Sequence, residues 1–275
     1  MSEALAQFIE QTNKLIVMTG AGLSTTSGIP AYRDKAGTWL RTSPIQHHDF
    51  INKKESRQRY WARSMKGWPL MHGAKPNKGH AALFAMEQAG LIELLITQNV
   101  DCLHQEAGHK ALVDLHGSLD RVQCISCENL FSRQDIQEWL ELNNPQLHEA
   151  LAIVKPDGDA DIADELISSI RVPECENCGG ILKPDVVFFG GTVPRTRIHT
   201  INEALGKSDG LLVVGSSLKV FSGFRICRDT HQAGKPIACL TQGVTRADDM
   251  ISLKIEADCE SSLAETAKLL GLACD

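Results

Sequence analysis

Short apolar runs alternate with stretches of helical periodicity along most of the chain. Leu15 to Thr19 (LIVMT) is apolar and β-branched in part, and it ends in Gly20-Ala21-Gly22. That pattern predicts a buried parallel strand closed by a tight turn before a helix start. Ser24 to Gly28 supplies cap and turn residues next. Leu91 to Thr97, Leu211 to Gly215, Pro236 to Leu240 and Leu253 to Ile255 have the same buried-strand character. His80 to Ala89 and Ser261 to Leu270 place apolar residues at helical spacing. Strands alternating with helices predict an α/β fold with a doubly wound parallel, Rossmann-like sheet covered on both faces.

Two stretches break this rhythm. Residues 32–79 are rich in Arg, Trp and His and hold no clear buried strand. Residues 117–189 carry four cysteines and an acidic loop, Asp157 to Asp164. Both read as insertions between strands, and together they predict a smaller second lobe.

Composition narrows the function. A chain of 275 residues, 43% hydrophobic, suits one large domain with a small one. Its net charge of −6 and the lack of any long Lys/Arg run exclude direct nucleic-acid binding, which needs clustered positive charge. No stretch approaches 18 consecutive apolar residues, so no membrane span is predicted. Met1 to Gln11 carries Glu3 and Glu10 and no basic residue, unlike a secretory signal or transit peptide, and this predicts a cytoplasmic protein. The oligomeric state is not legible, and a monomer is compatible with the pattern.

Nine cysteines, an odd number in a long chain without an export signal, fit reduced thiols and a metal site. Cys124-Ile-Ser-Cys127 and Cys175-Glu-Asn-Cys178 are two C-x-x-C pairs. Each can present two thiolates on one turn to a tetrahedral zinc, and four thiolates leave no position for water, so the ion is structural. The alternatives are four unrelated buried cysteines or a redox C-x-x-C. The acidic loop imitates the start of a calcium loop, but Ile162 replaces the turn glycine and Ser168 the bidentate glutamate, so it reads as solvated.

Gly20-Ala21-Gly22 is a dinucleotide-type turn, where bare backbone N–H groups can approach a pyrophosphate. A plain strand-to-helix turn is the alternative, because Thr25 stands where the third fingerprint glycine belongs. Gly215-Ser216-Ser217 and Thr97-Gln98-Asn99-Val100-Asp101 also follow buried strands, at the end where such folds bind ligands. Amide and carboxylate side chains there suit a carboxamide and ribose hydroxyls. His116 follows another short apolar segment and is a candidate general base, although on these residues alone a satisfied core imidazole is the favoured reading.

Taken together, Gly20-Ala-Gly-Leu-Ser24, Gly28-Ile-Pro-Ala-Tyr-Arg33, Thr97-Gln-Asn-Val-Asp101, His116-Gly117, the paired C-x-x-C sites, Pro184-Asp-Val-Val-Phe-Phe-Gly190 and Gly215-Ser-Ser-Leu218 resemble the sirtuin family. The order and spacing cover the chain from Leu15 to about Cys259. Pro44 to Phe50, Arg57 to Arg63 and Leu182 to Gly190 resemble its class II, sirtuin-4-like branch. The resemblance implies an NAD-binding domain assembled from residues 1–31, 80–116 and 190–275, a helical module and cofactor loop at 32–79, and a zinc-binding module at 117–189. It implies cofactor contacts from Gly20, Ala21, Gly22, Ser24, Tyr32, Arg33, Gln98, Asn99, Asp101, Gly215, Ser216, Ser217 and Cys259. His116 and Asn99 are then catalytic, and Val187, Phe188, Phe189 and Gly190 bind an acyl-lysine peptide by β-augmentation. The implied reaction consumes NAD, releases nicotinamide and yields free lysine and O-acyl-ADP-ribose. Protein mono-ADP-ribosylation in the same pocket is the alternative, and a non-catalytic NAD-binding regulator stands behind it. Ala31, Gly191 and Thr241-Gln242 depart from the usual family pattern, and Thr38 and Arg41 do not complete the Tyr and Arg pair of succinyl-preferring relatives. Cys102, where relatives carry a small residue, is a packed side chain or a reactive thiol.

Overall fold

The computed structural model describes residues 1–30, 45–148 and 164–273, with the two-residue strands Ile153–Val154 and Ala160–Asp161. In chain order the elements begin with α1 (Ser2–Gln11), β1 (Leu15–Thr19), α2 (His47–Asn52), α3 (Lys54–Gly73), α4 (Lys78–Gln88), β2 (Ile92–Thr97), α5 (Leu103–Glu106) and β3 (Leu112–Asp114). They continue with β4 (Gly117–Cys124), β5 (Leu130–Ser132), α6 (Arg133–Asn143), β6 (Ile153–Val154), β7 (Ala160–Asp161), α7 (Asp164–Ile167) and β8 (Leu182–Val186). The last are α8 (Arg195–Lys207), β9 (Gly210–Val214), α9 (Phe221–Gln232), β10 (Ile237–Leu240), β11 (Leu253–Ile255) and α10 (Cys259–Leu269).

Six strands form one parallel sheet in the order β11-β10-β9-β1-β2-β3. Every residue of β1 and β9 is buried, which is why both read as continuous apolar runs rather than alternating ones. Leu15, Val17, Leu212 and Val214 pack under α1, α4 and α10, whereas Ile16, Met18, Leu211 and Val213 pack under α8 and α9. Helix starts follow their caps. α4 begins at Lys78 because the Asn77 side chain accepts from the Gly79 and His80 N–H groups. α10 begins at Cys259, where Asp258 caps the Ser261 N–H.

One element departs from the sequence reading. Gly20-Ala21-Gly22 opens two 3₁₀ turns, Ala21–Leu23 and Thr25–Ser27, and not an α-helix. Gly28 stops the second turn in the left-handed region at φ 87°, and Pro30 follows.

The two insertions share one core. β5, β4 and β8 form a small antiparallel sheet. Val122, Ile136, Leu140 and Leu182 from this region pack against Phe50, Tyr60, Trp61 and Met65 of α2 and α3. Arg133, fully buried at the start of α6, locks them together. Its guanidinium lies 5.6 Å from the Trp61 ring and 4.7 Å from Trp68, and it donates to the Ser64 carbonyl and hydroxyl.

Candidate active site and cysteine centre

The sheet's strand order changes direction at β1. From there the chain builds outward through β2 and β3 on one side and through β9, β10 and β11 on the other. Ligands bind at the carboxyl ends of strands at such a switch point. Thr19 pairs with both Val214 and Thr97, Thr97 with Asp114, and Val214 with Leu240. The next residues, Gly20, Gly215, Gln98, Leu115 and Thr241, therefore meet at one edge, with His116 just beyond. A cleft of about 820 Å³ opens there.

Gly20, Ala21, Gly22, Gln98, Asn99, His116, Gly215, Ser216, Ser217 and Cys259 all line this cleft, as do Val187, Phe188, Phe189 and Gly190. Ser24 and Asp101 do not line it. They stand one layer behind, where the Ser24 hydroxyl donates to Asp101 Oδ2 at 2.7 Å. Asn99 bridges the layers, its Nδ2 donating to Ser24 Oγ at 3.0 Å and to the Gly20 carbonyl at 3.2 Å. Burial raises the Asp101 carboxyl above its ordinary value, opposed by the bonds from Ser24 and the Leu103 N–H. Tyr32 and Arg33 lie outside the described residues, as do Ala31, Thr38, Arg41 and much of the acidic loop.

The two glycine turns interlock. Gly22 N–H donates to the Gly215 carbonyl at 2.9 Å. Gly215 holds φ 63°, and a Cβ there would stand 2.5 Å from the Leu23 nitrogen. The donor set fits a dinucleotide: bare turns at two strand ends, with Gln98 Nε2 donating to Ser216 Oγ at 2.8 Å beside them.

His116 is half-buried, and its protonation state is set by two bonds. Nδ1 lies 3.0 Å from the Gln98 carbonyl, which can only accept, so Nδ1 carries the proton. Nε2 is then the acceptor, and the Ser222 hydroxyl donates to it at 2.7 Å. Burial lowers the imidazole pKa from 6.5, opposed by the bond to the Gln98 carbonyl and reinforced by Arg197, so the ring is neutral at physiological pH. Because kcat/KM reports the free enzyme, in which this bond exists, Ser222→Ala has a visible effect. Loss of the hydroxyl that bonds Nε2 displaces the acid limb of the kcat/KM profile from its wild-type position. A profile identical to that of the wild type counts against the bond.

On the opposite wall, the Val187 N–H donates to the His116 carbonyl at 2.8 Å. The Phe188 and Phe189 carbonyls already accept from Gly191 and His47. The Val187 carbonyl accepts no hydrogen bond among the described residues, so of these three it is the one open to an incoming N–H. Phe188 lies 5.1 Å from the Phe50 ring and 5.3 Å from Tyr60, which fixes the loop to the second lobe.

The sequence reading missed several cleft residues, namely Thr25, Val193, Ile198, Val220, Phe221, Ser222, Arg225 and Asp258. Only Ser222 carried a signal, as a polar residue at the helix start just after a Gly-Ser-Ser strand end. Cys102 is not poised to react. It sits in the left-handed region at φ 63°, 2.9 Å from Ser118 Oγ, and burial pushes its thiol up to about 12.

Away from the cleft, the sulfurs of Cys124, Cys127, Cys175 and Cys178 all lie within 4.8 Å of one another. Cys124 and Cys178 are 3.5 Å apart, and Cys127 and Cys175 are 3.6 Å apart. Four sulfurs at a Zn–S distance of about 2.3 Å would stand about 3.8 Å apart, so the set fits one tetrahedral zinc with no open position. The cysteines among the described residues form no disulfide.

Fold and site define a dinucleotide-binding α/β protein whose second lobe is clasped by a four-cysteine zinc centre. Residues 20–222 match the family model described as Sir2 family. The chain is 51% identical over 261 residues to an NAD-dependent protein deacetylase of Xanthomonas campestris pv. campestris, covering 95% of this chain and 89% of that protein. It is 45% identical over 258 residues to the mitochondrial NAD-dependent protein lipoamidase sirtuin-4 of Bos taurus, covering 93% and 82%. Among solved structures, a Sir2 complex with a p53 peptide and NAD+ superposes with a TM-score of 0.78 at 27% identity, covering 98% of this chain and 99% of that one. The chain belongs to the sirtuin family.

Proposed function

We propose that the cleft runs NAD-dependent removal of acyl groups from lysine side chains through His116, Asn99 and the Val187 carbonyl. The chain is an NAD-dependent protein deacylase, acting on acyl-lysine and holding one structural zinc. The observation that carries the assignment of roles is the meeting of a neutral His116 Nε2, the Asn99 amide and the open Val187 carbonyl around one cleft.

NAD, when bound, would supply an electrophilic ribose carbon and nicotinamide as leaving group; with one water consumed to release the amine, the products are nicotinamide, free lysine and O-acyl-ADP-ribose. Gly20, Ala21, Gly22, Gly215, Ser216 and Ser217 hold phosphates and the adenosine ribose, with Cys259 at the adenine end. Gln98 and Asn99 line the nicotinamide ribose. Asp101 acts from behind, with Ser24 fixing its carboxyl, and Tyr32 and Arg33 cover the dinucleotide. The Val187 carbonyl accepts the lysine N–H and orients the acyl oxygen toward the ribose. His116 Nε2 accepts the proton of a ribose hydroxyl, exchanging the Ser222 hydroxyl for that of the sugar. Phe188, Phe189 and Gly190 exclude water beside the acyl group.

The same reading divides the chain into the NAD-binding domain at 1–31, 80–116 and 190–275, the helical module and cofactor loop at 32–79, and the zinc module at 117–189. A cytoplasmic setting belongs to this proposal, supported by the unpaired thiols and bacterial relatives. No helix among the described residues is long and apolar enough to cross a membrane.

The test is nicotinamide release across a panel of acyl-lysine peptides, from acetyl to longer, branched and lipoyl groups. Release that requires both NAD and an acylated peptide is expected, with stoichiometric deacylated peptide by mass spectrometry. Label from NAD accumulating covalently on protein, without deacylated peptide, would favour ADP-ribosyl transfer instead.

A further inference from the structure

Beside the cleft, the start of α9 carries an exposed aromatic residue ringed by cations. Phe221 is 53% exposed and lines the cleft together with Arg225. Arg228 lies one turn on, along the same helix face, with its guanidinium 5.8 Å from the Phe221 ring centre. Arg246 arrives from the loop after β10, 5.7 Å from Phe221 and 4.2 Å from Phe224. Lys219 is exposed just before the helix, and Arg246 Nη1 donates to its carbonyl at 3.4 Å. Against these cations stands Asp229, bonded to Arg225 and Arg228. Lys219 and Arg246 form no ion pair among the described residues. The basic rim occurs in a chain of net charge −6, so overall composition does not account for it.

Ring contact restrains Arg228 and Arg246. Arg225 and Arg228 share the single carboxylate of Asp229, which leaves excess positive charge, and Arg246 has no carboxylate partner among the described residues, so less side-chain freedom is lost when a further carboxylate binds. The rim is continuous with the substrate wall. Ser222, adjacent to Phe221, bonds His116, whose carbonyl accepts from Val187. We propose that Phe221, Arg225, Arg228 and Arg246 form a docking face for acidic side chains that flank the acyl-lysine, making acidic-flanked sites the preferred substrate class. This rests on the deacylase reading above. The phosphates of NAD are the other anions within the cleft's chemistry, and kinetics separates the two.

The experiment compares nicotinamide release from three acyl-lysine peptides of equal length, flanked by acidic, neutral or basic residues on one side or the other. Wild type is set against the double variant Arg228→Gln/Arg246→Gln and its charge-conserving counterpart Arg228→Lys/Arg246→Lys. Two exposed ion pairs predict an acidic-over-neutral preference of about two- to thirtyfold in kcat/KM at low salt, carried by peptide KM. That preference falls toward one in the Gln variant and at high salt, and is partly retained in the Lys variant. The KM for NAD and turnover of the neutral peptide stay unchanged. Equal turnover of all three peptides by wild type overturns the docking face and leaves the deacylase reading standing. A preference that survives in the Gln variant, or a raised KM for NAD with the preference intact, also overturns it. No release from any peptide sinks the deacylase reading itself.

Discussion

His116→Ala lowers kcat/KM on an acyl-lysine peptide by about 10²–10⁴, the usual worth of a positioned general base. The imidazole is the titratable side chain held between Gln98 and Ser222 at the cleft wall, and no neighbour replaces an Nε2 lone pair. His116→Gln keeps a polar side chain but no base, so it should lose nearly as much. NAD binding, read by direct titration, stays near wild type, because the dinucleotide cradle comes from the glycine turns. The pH dependence has a fixed sign. Burial lowers the His116 pKa from 6.5, so the active neutral form persists below that value and activity is lost as pH falls through the lowered one. An acid limb lying above 6.5, or near-normal turnover by His116→Ala, would remove His116 from the chemistry.

Stripping the zinc, or replacing Cys124 with Ser, is expected to destroy activity from a distance. β4 runs from Gly117, directly after His116, to Cys124, and β8 runs from Leu182, shortly after Cys178, to Val186, directly before Val187. The cysteine centre therefore clasps the far ends of the two strands whose near ends present the base and the substrate carbonyl. Gly117, at φ 92°, packs so closely on the Asp185 carbonyl that any Cβ would collide with it, so the two strands also touch beside the cleft. Zinc in isolated small units contributes about 10–16 kcal/mol. Losing even several kcal/mol here lowers Tm by about 10 °C or more, at about 2–4 °C per kcal/mol for a chain of this size. Metal analysis should give one zinc per chain in the wild type and none in the Ser variant. A metal-free protein with unchanged Tm and turnover would show that the lobe does not depend on the ion.

Much of this architecture was legible because it is local. Apolar runs such as Leu15 to Thr19 mark strands buried on both faces, and Gly20 and Gly215 mark strand ends whatever lies around them. Two C-x-x-C pairs announce tetrahedral sulfur without reference to their distance apart. Local pattern fell short at one turn. The turn after β1 looked like a helix start, yet Gly28 and Pro30 end it within two 3₁₀ turns. No local pattern shows that the Ser24 hydroxyl, brought in from the end of the neighbouring strand, donates to the Asp101 carboxyl.

By itself the sequence determined the parallel α/β class, the cysteine set, and the residue types that can grip a dinucleotide, since each depends on spacing within a few residues. Only the tertiary structure decided which atoms meet: Ser222 on the base, Arg133 between two tryptophans, Arg246 over the phenylalanines of α9. These contacts join segments far apart in the chain. Strand order and packing bring them together, and neither is encoded in the periodicity of a single element.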